Sequence, residues 1–236
     1  GSMKNFRPYQ LLGNQLKELI IAGQYTVGSK LMSEREIASK FEVNRSLVRE
    51  ALIMLELEGL IEIKKGSGIY IKAIPTLHHD VVEENDYGPF EVLQARQVIE
   101  STIAACAAVY ATKQDILEMK AILAFERENL EVTESSEECD YKFHTVIARA
   151  SQNGMLLEIL QNLWNTRVNS PMWNKLHEHI EDMSFRKQWL DDHEQILKAL
   201  QKKDPELARK EMWTHLENVK QKLMELSDFD DPDFDG

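Results

Sequence analysis

The chain has 236 residues, 43% of them hydrophobic and 29% charged, with a formal net charge of -12. That length suffices for two modest domains, each burying its own core, and no apolar run approaches the roughly 18 residues that a membrane span requires. Two cysteines, Cys106 and Cys139, both within helical patterns, argue against a disulfide framework and fit a reducing cytoplasm. The charge is unevenly placed. Residues 1–75 hold 11 Lys and Arg against 8 Asp and Glu, a net of +3, which leaves -15 for the remainder. One end suits a polyanion such as DNA and the other is repelled by it, so two domains with different partners are expected.

Leu11, Leu12, Leu16, Leu19 and Ile20 form a helical stripe over Tyr9–Ile21. Ser33-Glu34-Arg35-Glu36 reads as a capping-box start for a second helix that turns Ile37, Ala38 and Phe41 inward. After a break at Glu42-Val43-Asn44, a third helix runs from about Arg45 to Glu58, burying Leu47 or Val48, Ala51, Leu52 and Leu55. Two short helices with a tight link match helix-turn-helix geometry, whose second helix enters the major groove. Gly59 to Ile71 then gives two β-branched runs around Lys64-Lys65-Gly66-Ser67-Gly68, the pattern of a hairpin wing with a basic tip. Arg45 and Arg49 share one helical face, and arginine suits bidentate contact with guanine or phosphate. A helix pair alone often carries no function, but here a capped pair, two aligned arginines and a basic wing coincide.

Leu31-Met32-Ser33-Glu34-Arg35-Glu36-Ile37-Ala38, Val43-Asn44-Arg45-Ser46-Leu47-Val48-Arg49-Glu50-Ala51 and Lys65-Gly66-Ser67-Gly68 resemble the GntR-type regulators. The resemblance implies DNA contacts from Arg35, Arg45 and Arg49 and a minor-groove approach by Gly66. Asn44, Ser46 and Lys65 complete the candidate DNA-binding set. Met32 stands where the family commonly has proline, and Asn44 where it commonly has serine or threonine. Both departures bear on operator sequence rather than on DNA binding.

Residues 1–74 are therefore expected to form a winged helix-turn-helix of three helices and a hairpin, and 75–88 a linker. His78-His79 falls in that linker, but adjacent residues share no helical face, so the two are not read as a metal pair. From Pro89 the pattern is helical almost throughout: Phe90–Tyr110, Lys113–Leu130, Glu137–Ala150, Met155–Thr166, Phe185–Gln201 and Pro205–Leu226. An antiparallel bundle of six to seven helices is expected over 89–228, followed by a mobile acidic tail over 229–236. Asp140 and His144, at i and i+4, project from one face, while His193 and His215 lie on two other amphipathic helices. Bundles build metal sites from ligands on facing helices, and three imidazoles with one carboxylate suit a divalent transition ion, Zn2+ foremost, with Ni2+ or Mn2+ as alternatives. Each histidine taken singly reads equally well as an ordinary core or surface residue. The segment resembles the FadR-like branch of the family with a metal-binding helical domain, which implies that all four residues ligate the ion and that Asn153 accompanies them. His177 and His179, at i and i+2, face different ways and are not assigned as ligands.

Arg96 interrupts an apolar helix and can pair with Glu100 at i+4 or clamp a carboxylate. Arg167 and Lys175 are further candidates for an anion, and Trp164 and Trp173 for stacking on a sugar ring. Tyr87-Gly88-Pro89-Phe90, Pro171-Met172-Trp173 and Met212-Trp213-Thr214-His215 resemble the hexuronate-responsive repressors of the family. That resemblance implies a homodimer on a palindromic operator, released by a small sugar acid. The alternative is a regulator of another small carboxylate whose metal is purely structural. An enzyme is not expected: no H-E-x-x-H or nucleophile motif is present, and a fourth protein ligand would narrow access to the ion.

Overall fold

The structure, a computed structural model, describes residues 7–76, 86–180, 185–228 and 230; His78 and His79 lie outside them. Ten helices and one antiparallel hairpin are found among the described residues, so the chain is mainly α as expected. It divides into two compact units. The first comprises residues 1–91, 169–181 and 224–236, and the second 92–168 and 182–223.

The first unit opens with α1 (Pro8–Ala22), whose Tyr9, Leu12, Leu16 and Ile20 are buried. α2 (Glu34–Phe41) begins where the Ser33 hydroxyl accepts from the Glu36 amide, the first half of the expected capping box. It ends at Glu42, whose left-handed φ of 55° turns the chain. Asn44 then caps α3 (Arg45–Leu57) by accepting from Leu47 N at 2.9 Å. Asparagine thus does the work of the more common hydroxyl residue at that position. Val48, Ala51, Leu52 and Leu55 are buried, while Leu47 is only partly so. α3 packs against α1, α2 and the hairpin.

The hairpin pairs β1 (Ile61–Lys64) with β2 (Gly68–Ile71), Ile61 opposite Ile71 and Ile63 opposite Ile69. Ile61 and Ile63 point inward and Glu62 and Lys64 outward, the alternation that a half-buried strand requires. Gly66, at φ 77°, supplies the left-handed turn that a side chain resists. Leu31 N donates to Ile69 O at 2.8 Å, so the segment before α2 extends the sheet.

The same unit includes α8 (Pro171–Glu178), a helix that the sequence pattern does not resolve. Its Ser170 cap donates to Asp86 Oδ1 at 2.7 Å, and Met172 N donates to Asp86 Oδ2 at 2.8 Å. The Tyr9 hydroxyl in turn donates to the Asp86 carbonyl. α8 packs on α3, where His179 Nε2 lies 2.7 Å from Glu56 Oε1. Residues 169–180, 224–228 and 230 thus fall in a unit that sequence reading confines to the N-terminal domain. The physical reason is long-range pairing of polar groups with α2 and α3, which local periodicity does not encode.

The second unit is helical: α4 (Pro89–Tyr110, from Val92 onward), α5 (Lys113–Glu128), α6 (Thr133–Ala150), α7 (Gly154–Asn165), α9 (Arg186–Gln201) and most of α10 (Pro205–Leu226). Thr112 and Asp115 form a reciprocal capping box at α5. α6 starts four residues before the expected Glu137. Ala104, Ala107 and Ala108 give α4 a smooth face, and Ala111, Met119, Leu123, Phe143, Ile147, Leu190, Ile196, Met212 and Leu216 pack into the same core. Cys139 is buried and Cys106 partly buried, and both are unpaired.

Candidate metal centre and DNA-reading surface

α6 carries Asp140 and His144 one turn apart, α9 carries His193 and α10 carries His215. Their ligand atoms all lie within 4.8 Å of one another. His144 Nε2 is 3.3 Å from His193 Nε2, which is 3.1 Å from His215 Nε2. Asp140 Oδ1 lies 3.2 Å from the first and 3.3 Å from the second. All three imidazoles are nearly inaccessible to solvent.

Behind each ring, on the Nδ1 side, stands a carboxylate. Glu100 of α4 contacts His144 Nδ1, Asp192 Oδ2 is 3.0 Å from His215 Nδ1, and Glu126 Oε2 of α5 is 3.8 Å from His193 Nδ1. Carboxylates in that position fix the ring and favour a proton on Nδ1, leaving the Nε2 lone pairs aimed inward. Three ring nitrogens and one carboxylate oxygen then face one another, the donor set of a divalent-ion site.

The titration behaviour follows the same geometry. Burial opposes charge on Asp140, but the His144 and His193 contacts outweigh it and hold the carboxyl well below its ordinary range. Burial also opposes charge on His193, yet Asp140 and Glu126 push it up to about 9. Burial, with the neighbouring imidazoles, brings His215 down to about 4 against the pull of Asp192. Asp140 therefore favours positive charge on the imidazoles it faces, a role that a divalent ion would take over. Three nitrogen donors with a carboxylate fit zinc and its neighbours better than magnesium or calcium, which prefer all-oxygen sites.

Arg96 extends the site. Its Nε donates to Glu100 Oε2 at 2.5 Å, so Glu100 bridges the guanidinium and the His144 ring. Burial would raise the Glu100 carboxyl, but Arg96 and His144 bring it down to about 2. The Arg96 guanidinium lies 4.4 Å from the Trp164 ring centroid and that of Arg167 lies 4.2 Å from it. Burial and then the charge of Arg96 lower Arg167 to about 10. Two cations held together in a partly dry site attract an anion.

Other sequence candidates are placed differently. Asn153 is exposed and caps α7 by accepting from Met155 N and Leu156 N. Trp164 is 3% exposed beneath the two guanidiniums, so it serves as core rather than as a stacking platform. Trp173 and Lys175 belong to α8 in the first unit, with Trp173 against His177 and Lys175 paired to Glu178 at 2.9 Å. Glu126 and Asp192 were not among the sequence candidates. Glu126 continues the Met119 and Leu123 stripe of α5, and a carboxylate on an apolar stripe was the available signal.

In the first unit, Arg45 and Arg49 do project together, but onto protein. Glu34 receives Arg45 Nε at 2.9 Å and a bidentate fork from Arg49, Nε to Oε2 at 2.9 Å and Nη2 to Oε1 at 2.8 Å. Arg49 is fully buried here, Arg45 half-buried, and Arg35, Asn44, Lys65 and Gly66 exposed. Ser46 Oγ donates to Asn44 Oδ1 at 2.7 Å, bracing the start of α3.

A family model of the FCD domain matches residues 91–218, and one of bacterial regulatory proteins of the gntR family matches residues 8–71. The Uxu operon regulator of Haemophilus influenzae is 49% identical over 231 residues, covering 98% of this chain and 87% of that protein. The Exu regulon transcriptional regulator of Escherichia coli is 48% identical over 218 residues, 91% of this chain and 83% of that protein. Among solved structures, E. coli McbR/YncC aligns with a TM-score of 0.51 at 20% identity over 94% of this chain and 99% of that one, a likeness of fold. None of the helices among the described residues is long and apolar enough to cross a membrane. With a DNA-binding gntR-type domain followed by an FCD domain, the chain belongs to the GntR family of bacterial transcription regulators rather than to an enzyme family.

Proposed function

We propose that this protein is a cytoplasmic repressor of hexuronate-utilisation genes, bound to a palindromic operator as a homodimer and released by a sugar acid held in the helical unit. The observation that carries the reading is the convergence of His144, His193, His215 and Asp140, backed by three carboxylates and flanked by Arg96 and Arg167. The likeness to Uxu and Exu regulators along almost the whole chain supports hexuronates as the effector class.

Asp140, His144, His193 and His215 would hold the metal, with Zn2+ favoured and Ni2+ or Mn2+ as alternatives. When bound, the ion supplies a Lewis-acidic contact for a carboxylate. Arg96 and Arg167 bring donors to that carboxylate, and Glu100 fixes the orientation of Arg96. A sugar acid relieves repression only through different affinity for the DNA-bound and DNA-free arrangements.

Calorimetry with glucuronate, galacturonate and fructuronate, on metal-loaded and chelated protein, tests the reading. Binding confined to the loaded form is expected. Undiminished binding by chelated protein would assign the metal a purely structural role. Binding of none of the three by loaded protein, but of another small carboxylate, would move the effector outside the hexuronates.

A further inference from the structure

Residues 227–236 hold five aspartates and no cation, and sequence pattern leaves them without structure. Asp228 and Asp230 are nonetheless placed against the helix-turn-helix. Asp230 is 8% exposed, and its carboxylate accepts from the Glu34 and Arg35 amides, at 2.8 and 3.3 Å. Those are the first N–H groups of α2, which the helix itself does not pair, at the position where a helix N-terminus receives a phosphate. Arg45 Nη2 lies 3.2 Å from Asp228 Oδ1 and 3.5 Å from Asp230 Oδ2. Arg35 Nε lies 3.8 Å from Asp230. Arg49 Nη1 donates to the Met224 carbonyl at 2.5 Å and to Ser227 Oγ at 2.9 Å, and Arg49 Nη2 is 3.8 Å from Asp228.

Three arginines and a helix N-terminus, gathered on one surface, are thus taken by one acidic segment. We propose that the segment from Met224 to Asp228, together with Asp230, is a built-in competitor of DNA, its two carboxylates standing where operator phosphates would bind. The proposal rests on the reading of Arg35, Arg45 and Arg49 as DNA contacts. The tail takes Arg49 Nη1, Arg45 Nη2 and the amides of Glu34 and Arg35, while Glu34 orients the two guanidiniums from behind, so a phosphate on this surface must displace the tail. The tail must leave before Arg49 Nη1, held by Met224 and Ser227, can reach a base or a phosphate. DNA affinity is thereby set by an intramolecular competition whose ion pairs weaken with salt.

The test uses the full-length protein, its D228N/D230N variant and a chain ending at Leu226, with R49A as control. Binding to a fluorescein-labelled 40-base-pair duplex is followed by anisotropy from low to moderate salt. Asparagine keeps the shape but removes the charge, and the truncation covers the case in which asparagine still occupies the surface. At low salt, D228N/D230N and the truncated chain are expected to bind at least about tenfold more tightly than the full-length protein, the combined effect of two or three partly buried ion pairs. Their affinity should also fall more steeply with salt, because binding no longer exchanges one anion for another. Equal affinities for all three, with R49A still impaired, would overturn the competitor while leaving the DNA contacts in place. Unimpaired binding by R49A would overturn the DNA-contact reading and the competitor with it.

Discussion

Replacing Glu100 with Gln tests the link between the ion site and the anion site, because one carboxylate serves both. Glu100 is 2% exposed; Oε1 backs His144 and Oε2 receives Arg96. Glutamine keeps the shape and one carbonyl acceptor, so one of the two donors loses its partner and the buried Arg96 loses its counter-charge. Breaking a buried ion pair from one side costs about 3–5 kcal/mol; at about 2–4 °C per kcal/mol for a chain of this size, the melting temperature should fall on the order of 10 °C. Removing a carboxylate behind a metal-bound histidine typically weakens the ion about 10- to 100-fold, or roughly 1.4–2.8 kcal/mol. Zinc titration with a competing chelator gives the second quantity and differential scanning fluorimetry the first. Wild-type values for both would refute the argument that Glu100 ties Arg96 to His144. Asp192→Asn, at a partly exposed carboxylate, should weaken zinc by about tenfold with a much smaller loss of stability.

Lys17 Nζ and Glu58 Oε2 form a 2.7 Å pair with both side chains buried. Lys17→Ala alone should cost about 3–5 kcal/mol in denaturant melts, whereas K17M/E58L should come within about 1–2 kcal/mol of wild type. Glu50, buried against the start of α4, accepts from Phe90 N and Glu91 N, and burial outweighs those contacts to push its carboxyl up to about 8. The folded state holds that proton more tightly than the unfolded chain, so this contribution is complete below about pH 4.5 and is lost as pH rises towards 8. The fall in melting temperature across that window should flatten in Glu50→Gln. A Cβ at Gly88 would meet Glu50 Oε2 at 1.8 Å, so Gly88→Ala should cost about 1–3 kcal/mol, and less in an E50A background if that contact is the cause.

The sequence made the two-part architecture legible because periodicity and capping are local. Ser33 and Asn44 announce α2 and α3, and the inward alternation of Ile61 and Ile63 announces the wing. Asp140 and His144 were legible as a pair from their one-turn spacing, and His193 and His215 as isolated imidazoles on amphipathic helices. Their convergence depends on how three helices pack, which spacing alone does not carry. Glu126 and Asp192 were hidden for the same reason, since each acts on a ring carried by another helix. Asn153, which the family resemblance attaches to the site, caps α7 through its side-chain oxygen. The acidic tail read as mobile because its partners, α2 and Arg45, lie more than 180 residues away in the chain.

The central claim is that a sugar acid controls DNA binding through the metal site. It is tested most directly by anisotropy of a labelled duplex carrying the regulated promoter, titrated with hexuronates against metal-loaded protein, chelated protein and His193→Ala. Release of DNA from the loaded protein alone is the expected result. Tight hexuronate binding without any change in DNA affinity, or equal release from all three proteins, would contradict the account.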